Sequence, residues 1–309
     1  SYTPGQHRII CPTCNGGSSG ERSLAVHVED DGKSAQWCCH RANCEWSGGT
    51  SADGRSRASR GTDSAVSNRR VAKPKLPAPE DLQRIGPGEM TPAAAKWAEM
   101  LKARGISLET AERNGLAVQH VYSPASSGYV DALCFPYMRD GELINIKYRG
   151  PDKTFWQVKG AEKILYGLDD VVGEEEVILV EGEMDKLALE EAGFKNVVSV
   201  PDGAPGKVRD GPTPAPEEDK KYEYLWNCRA QLDSISRFVI AADSDGPGQA
   251  LSEELARRLG KERCWKVSWP EGCKDANEAL QKEGVDTVRE CLTTCLLYTS
   301  PSPRDKRQS

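Results

Sequence analysis

"FVIAADSDGPGQ", residues 238–249, is the stretch on which the fold turns. Its five leading residues are apolar, as suits a strand buried on both faces. The run then ends in two aspartates, Asp243 and Asp245, with Gly246 and Gly248 just beyond. Residues i and i+2 of a strand share a face, so both carboxylates project together from the strand's end. Two like charges side by side repel and are costly to desolvate. A pair of solvated loop acids is the bland reading. The sharper one is a divalent-metal site.

Upstream, "EEVILVEGEMDKLALEEAGFKNVVSVPDG" (175–203) reads as strand, helix, strand, which is a βαβ unit. Glu181 stands where the first strand ends, and Gly182 allows the sharp turn into the helix. "RFVIAADSDGPGQALSEELARRLG" (237–260) repeats the pattern. "CWKVSW" (264–269) follows as a strand, and "KDANEAL" (274–280) opens a helix with Lys274 and Asp275. The fold class is α/β (α+β over the whole chain), closing in a parallel sheet flanked by helices. Open α/β sheets bind ligands at the carboxyl ends of their strands. Glu181, Asp243 and Asp245 therefore meet at one sheet edge. Such hard oxygen donors suit Mg²⁺ or Mn²⁺, which keep waters and bridge substrate phosphates. A bound metal would relieve the repulsion between the carboxylates.

The cysteines carry the second signal. Of eleven, Cys11 and Cys14 form "CPTC", and "WCCHRANCEW" (37–46) follows after about two dozen residues. Paired cysteines so separated read as a four-thiolate zinc site. The second pair, Cys39 and Cys44, is less regular, and Cys38 or His40 could replace Cys39. "RSLAVHVEDDGKSAQW" (22–37) alternates around a DG turn, so a hairpin joins the two pairs in the layout of a zinc ribbon. Disulfides are the alternative, disfavoured because nothing marks the chain as secreted. Cys134, Cys228, Cys264, Cys273, Cys291 and Cys295 are scattered and read as structural or incidental.

Between ribbon and sheet lie a tether and a mixed region. Residues 48–79 are rich in Gly, Ser, Arg and Pro, the composition of a flexible linker. "AAAKWAEMLKARGISLETAERNGL" (93–116) is helical, with a cap at Ser107 and a stop at Gly115. "YVDALCFPYMRDGELINIKYRG" (129–150) is a hairpin turning at "RDGE". Further on, Lys147, Arg149, Lys153 and Lys163 interleave with Tyr148, Phe155 and Trp156. That mixture suits phosphates and stacked bases, although a solvated sheet face would contain it too.

The charge is uneven. The chain's net charge is −6, but residues 1–75 carry eleven Lys/Arg against seven Asp/Glu, and the remainder carries thirty against forty. A front of +4 and a rear of −10 fit separate tasks. No apolar run approaches the roughly 18 residues of a membrane span. The chain opens inside an ordered motif, which suggests an upstream segment such as a targeting peptide. "LLYTSPSPRDKRQS" (296–309) drops all periodicity and resembles a translated cloning adaptor, with a disordered native tail as the alternative.

The acids carry a family resemblance. E-G-x-x-D (Glu181, Gly182, Asp185) with D-x-D-x-x-G (Asp243, Asp245, Gly248) resembles the Toprim domain of primases and topoisomerases. With the ribbon ahead and "IKYRGPDKTFWQ" (146–157) between, the order is similar to phage-type primase-helicases. It most resembles the Twinkle-like primases of plant organelles, over roughly residues 5–290. The resemblance implies zinc at Cys11, Cys14, Cys39 and Cys44. It implies catalytic metal at Glu181, Asp243 and Asp245, with Asp185 and Asp275 as supporting acids. Lys147, Arg149, Lys153 and Lys163 match positions that hold nucleotides and template. Ser244 departs from the glycine usual between the two aspartates, and Cys38 adds a fifth thiol beside the ribbon.

The implied division is a ribbon over residues 1–49, a linker over 50–79 and an N-terminal polymerase subdomain over 80–170. Toprim follows over 171–290, then a non-native or disordered tail over 291–309. The implied activity is DNA priming: short RNA made on single-stranded DNA from ribonucleoside triphosphates by two-metal nucleotidyl transfer, for organellar replication. Zn²⁺ and Mg²⁺ (or Mn²⁺) are the implied cofactors. A replicative helicase or organellar DNA polymerase is the implied protein partner, and a mitochondrion or chloroplast the location. No G-x-x-x-x-G-K-[ST] motif occurs, so a helicase half is not part of this sequence. The competing readings are a non-catalytic zinc/Toprim nucleic-acid or repair-mediator protein and another Toprim enzyme, a nuclease or topoisomerase.

Overall fold

The structure, a computed structural model, describes residues 3–14, 21–30, 32–39, 47–51 and 74–298. It divides into two compact units, Ser1–Arg69 and Arg70–Ser309. In the first unit, β1 (Gly5–Ile9), β2 (Leu24–Val28), β3 (Ser34–Cys39) and β4 (Ser47–Ser51) form an antiparallel sheet in chain order. The hairpin expected between the cysteine pairs is β2–β3, with Leu24 opposite Cys39. β4 runs to Ser51, past the expected ribbon boundary at residue 49, because its backbone pairs with β3 from Ser34 to Cys38. Among the described residues this unit's buried core is Cys11, Leu24 and Cys39, with Val26 and Trp37 packed against it. Most of the expected linker lies outside the described residues.

The second unit joins two sheets. β5 (Gln83–Arg84), β6 (Ala117–Ser123), β7 (Gly128–Arg139), β8 (Glu142–Arg149) and β9 (Phe155–Gln157) form an antiparallel meander. The β7–β8 turn uses Asp140 at φ 54° and Gly141 at φ 76°, the left-handed pair that a two-residue hairpin requires. α1 (Pro92–Ala103) and α2 (Leu108–Arg113) break the single expected helical stretch at Arg104-Gly105. Gly105 sits at φ 76°, a conformation the α-helix cannot continue. Ser107 then caps α2 through its side chain to Thr110 N, as its sequence position suggests.

The Toprim-like sheet has the order β11-β10-β12-β13-β14, from β10 (Glu176–Val180), β11 (Val197–Ser199), β12 (Arg237–Ile240), β13 (Cys264–Lys266) and β14 (Leu296–Leu297). The first four are parallel and β14 is antiparallel. Val177–Val180 and Phe238–Ile240 are at most 1% exposed, so both central strands are covered on each face. Burying each such side chain stabilises the fold by about 1.5–3 kcal/mol. Helices α3 (Glu183–Glu191), α6 (Gly246–Leu259), α7 (Ala276–Glu283) and α8 (Val285–Thr293) pack around them, with short α4 (Glu223–Asn227) and α5 (Arg229–Leu232) in the β11–β12 connection.

The first residues of the tail expected to be non-native or disordered, 291–298, carry regular structure. α8 crosses residue 290 and buries Val288 and Leu292. Leu296 and Leu297 then pair with Lys266 and Trp265, and Tyr298, 7% exposed, donates its hydroxyl to Glu253 at 2.8 Å. A free sheet edge and an accepting carboxylate order these residues despite their lack of periodicity. Residues 299–309 lie outside the description.

Candidate active site

Glu181 follows β10, and Asp243 and Asp245 follow β12, its parallel neighbour in the sheet. Asp185 lies on the first turn of α3, and Asp275 caps α7 by accepting from Glu278 N at 2.7 Å. Asp185 is 8% exposed and accepts from Asn277 N at 3.1 Å, which ties α3 to α7. Burial, then the charges of Asp275 and Asp243, hold its carboxyl well above the usual range. Burial also raises Asp243, against the opposing effect of Lys274. Asp245 is held low, first by the Gly248 amide and then by Lys274.

Two observations bear on a metal here. Lys274 Nζ lies 2.8 Å from Asp243 and 3.1 Å from Asp245, so an ammonium occupies the place where positive charge is required. Glu181 accepts from Ala204 N through Oε1, but its Oε2 is buried with no partner among the described residues. Burial and the Asp243 charge push the Glu181 carboxyl up to about 7. The orphan oxygen of Glu181 feels the charges of Asp243 and Asp245, and these hard donors suit a divalent cation, although the oxygens of the three acids do not all lie within 4.8 Å of one another. The fit explains Gly248 as well. A Cβ there would sit 2.2 Å from the Asp243 carbonyl oxygen, so only glycine lets α6 start this close to the acids. Ser244 turns aside, its hydroxyl donating to the Cys273 carbonyl at 3.3 Å.

The facing sheet presents cations. Lys147 and Arg149 pair in register with Phe135 and Leu133 on β7 and with Gln157 and Phe155 on β9. Both are buried, and both stand over the half-exposed Phe155 ring, at 5.4 and 5.7 Å. Lys147 Nζ donates to Glu183 Oε1 at 2.8 Å. Arg149 makes no hydrogen bond or ion pair among the described residues, and burial followed by the nearby Arg104 lowers its pKa. Glu183 acts on Arg149 only through its charge, so neither guanidinium is hydrogen-bonded to a carboxylate among the described residues, and the pair suits an anion.

Lys153 and Lys163 are placed differently from those two. Lys153 is exposed at the β8–β9 turn with φ 63°. Lys163 is ion-paired with Asp202 at 2.7 Å, where Gln157 also donates at 3.1 Å. Arg104 and Glu183 were not marked by the sequence, and Lys274 was noted only beside Asp275 at a helix start, with no role toward the acids. None of the three repeats at a spacing that would single it out.

In the ribbon unit, the sulfurs of Cys11, Cys14 and Cys39 lie within 4.8 Å of one another. Cys39 is buried and Cys38 exposed, so the inward thiol is that of Cys39. Cys44 and His40 lie outside the described residues. Three converging thiols fit zinc.

Residues 175–268 match the Toprim domain family. Over 295 residues the chain is 46% identical to the chloroplastic/mitochondrial Twinkle homolog protein of Arabidopsis thaliana, covering 94% of this chain and 39% of that protein. To the primase homolog protein of the same plant it is 42% identical, covering 94% of this chain and 81% of the relative. Among solved structures it is similar to the primase fragment of the bacteriophage T7 primase-helicase protein, with TM-score 0.54, 20% identity and coverage of 93% and 98%. It is also similar to a primase domain bound to an RNA/DNA hybrid and dTTP in a complex with bacteriophage T7 lagging-strand DNA polymerase. That match has TM-score 0.52, 24% identity and coverage of 64% and 92%. These structural likenesses concern the fold, while the match along most of the primase homolog's length concerns descent: the chain belongs to the Twinkle-like primase family.

Proposed function

We propose that this chain is a DNA primase that joins ribonucleotides on a single-stranded DNA template. The observation that carries the reading is the pairing of opposites within one unit. A carboxylate cluster with an orphan oxygen lies at the sheet edge, and buried Lys147 and Arg149 stand over an exposed aromatic ring. Glu181, Asp243 and Asp245 would hold Mg²⁺ or Mn²⁺. The bound ions supply Lewis-acid activation of the primer hydroxyl and neutralise the triphosphate. Arg149 and Arg104 would bind phosphate oxygens, since neither is hydrogen-bonded to a carboxylate among the described residues and a triphosphate would supply an anion. Phe155 offers a face for a base, and exposed Lys153 would hold the template backbone. Lys163 would exchange Asp202 for a phosphate, and Asp185 and Asp275 would support the ligand-bearing helices.

Zinc at the inward thiols, completed by Cys44, would shape the ribbon as the reader of template start sites. The chloroplastic/mitochondrial Twinkle homolog of Arabidopsis thaliana supports an organellar setting for DNA replication, where a replicative helicase or organellar DNA polymerase would work alongside. Incubating the chain with single-stranded DNA, ribonucleoside triphosphates and Mg²⁺ tests the proposal. Short RNA products support it. Template binding without synthesis selects the non-catalytic reading instead.

The Glu181 carboxyl gives the site a pH signature. Its ordinary value is 4.5 and burial lifts it to about 7 in the fold, so the unfolded chain releases this proton first. Its contribution to stability is fully present below about 4.5 and is lost as pH rises through about 7. Mg²⁺ needs the carboxylate free of its proton, so metal affinity should climb between pH 6 and 8 with proton uptake by the buffer. Calorimetric titration with Mg²⁺ in buffers of different ionisation heat checks this. Glu181→Gln should flatten the climb, and an equally steep climb in that variant removes Glu181 from the site.

A further inference from the structure

Glu183 sits between Glu181 and Asp185, yet it faces a different partner set. It is 3% exposed on the first turn of α3. Its Oε1 accepts from the Tyr137 hydroxyl at 2.6 Å and from Lys147 Nζ at 2.8 Å. Tyr137 is fully buried, and its hydroxyl has this single hydrogen bond among the described residues. Asn145, beside Tyr137 in the β7–β8 register, is anchored separately through Gln157 at 2.7 Å. So one carboxylate oxygen is held from the sheet side by a neutral donor and in turn holds a cation.

The arrangement has a direction. Lys147 arrives from β8 and Tyr137 from β7, while Glu183 comes from the other sheet's helix. Lysine has four rotatable side-chain bonds and three ammonium donors. Glu183 takes one donor and the Phe155 ring limits the ammonium on another side, 5.4 Å away. Two donors remain for an incoming group. Both bonds to the carboxylate end on Oε1, so the tyrosine fixes the oxygen that fixes the lysine.

We propose that Glu183 is a positioning residue, braced by Tyr137, that orients the Lys147 ammonium for a phosphate of the incoming nucleotide, and that it is not a ligand of the catalytic metal. This deepens the primase reading and rests on it for the identity of the nucleotide. Removing the carboxylate charge frees a long side chain to sample other rotamers, which weakens nucleotide capture more than it slows the chemical step. A metal ligand would behave the other way.

The test uses the full chain with ATP and Mg²⁺, in Glu183→Gln, Tyr137→Phe, Lys147→Met and the double variant Glu183→Gln/Lys147→Met. For Glu183→Gln the apparent ATP dissociation constant should rise about tenfold, the loss of one charge-assisted contact, with Mg²⁺ half-saturation unchanged. Tyr137→Phe, which keeps the ring packing, should move ATP affinity in the same direction by less. In the Lys147→Met background, Glu183→Gln should change ATP binding no further, because the group it orients is gone.

Additive effects in the double variant would reduce Glu183 to a structural ion pair and overturn the proposal. A raised Mg²⁺ requirement in Glu183→Gln would make it a metal ligand and overturn it equally. An NMR readout on ¹³C-methylated lysines needs no primer synthesis. The Lys147 resonance, assigned by its loss in Lys147→Met, should move in both Glu183→Gln and Tyr137→Phe. A resonance that stays fixed in both rejects the positioning role. If the parent chain makes no primers yet the NMR and ATP-binding results hold, the primase reading fails and the Glu183 role stands.

Discussion

Asp243→Asn should reduce primer synthesis by about 10³-fold or more while leaving the metal-free fold as stable as the parent, or slightly more so. The two halves of that expectation have separate causes. Burial raises the Asp243 carboxyl above its ordinary value, so its ionised form is a cost to the fold at neutral pH. Asparagine removes that cost. Against it stands the lost ion pair with Lys274, but Lys274 keeps Asp245 at 3.1 Å and is half-exposed, so that term is small. Mg²⁺ should raise the melting temperature of the parent by mass action and that of the variant far less. The solvated-acid reading requires the reverse: near-normal synthesis and an unchanged response to Mg²⁺. A primer assay together with melting curves at two Mg²⁺ concentrations distinguishes them. Asp245→Asn adds a control, since asparagine can still cap α6 through Gly248 N, where Asp245 now accepts at 2.9 Å. Its loss of synthesis would then report the charge and not the helix.

Much of this architecture is legible from local chemistry. Apolar runs ending in acid-glycine turns gave the parallel strands, because strands buried on both faces need continuous apolar side chains. "RDGE" gave the β7–β8 turn because its central pair accepts positive φ. The site's cations were harder to read. Lys147 and Lys163 look alike in the sequence, yet one is buried against Glu183 and the other is half-exposed against Asp202. Which carboxylate folds back onto which lysine depends on sheet register and on the Asp202 loop, neither of which local periodicity encodes. Arg104 is invisible for the same reason. It follows α1 at an ordinary-looking "ARG", and its hydrogen bond to Asn277 of α7 at 3.2 Å and its influence on Arg149 both come from tertiary contacts. Tyr298 misled in the opposite sense, since an aperiodic tail still had a sheet edge to pair with.

The ribbon offers the second large effect. Cys39→Ser should release one zinc per chain and remove template-directed starts, while Cys38→Ser should keep both. Cys39 is 5% exposed with its sulfur 3.8 Å from that of Cys14, whereas Cys38 is exposed with its sulfur directed at the Cys39 carbonyl. The two positions are adjacent on β3, so strand alternation sends them to opposite faces and only one can join Cys11 and Cys14. Among the described residues the buried apolar core of this unit is Cys11, Leu24 and Cys39, with Cys14, Val26 and Trp37 packed against it, a small core for four strands. Structural zinc contributes about 10–16 kcal/mol to such small folds, so its loss should unfold the unit outright. The second unit has its own core, from Ile85 to Tyr298, and should keep its melting transition and its Mg²⁺ response. Metal analysis after gel filtration, with start sites mapped on a fixed template, provides both readouts. Zinc that survives Cys39→Ser but leaves with Cys38→Ser would turn β3 over and move the ligand to the exposed face. Template-directed starts that persist in a zinc-free chain would take start-site reading away from the ribbon and assign it to the second unit.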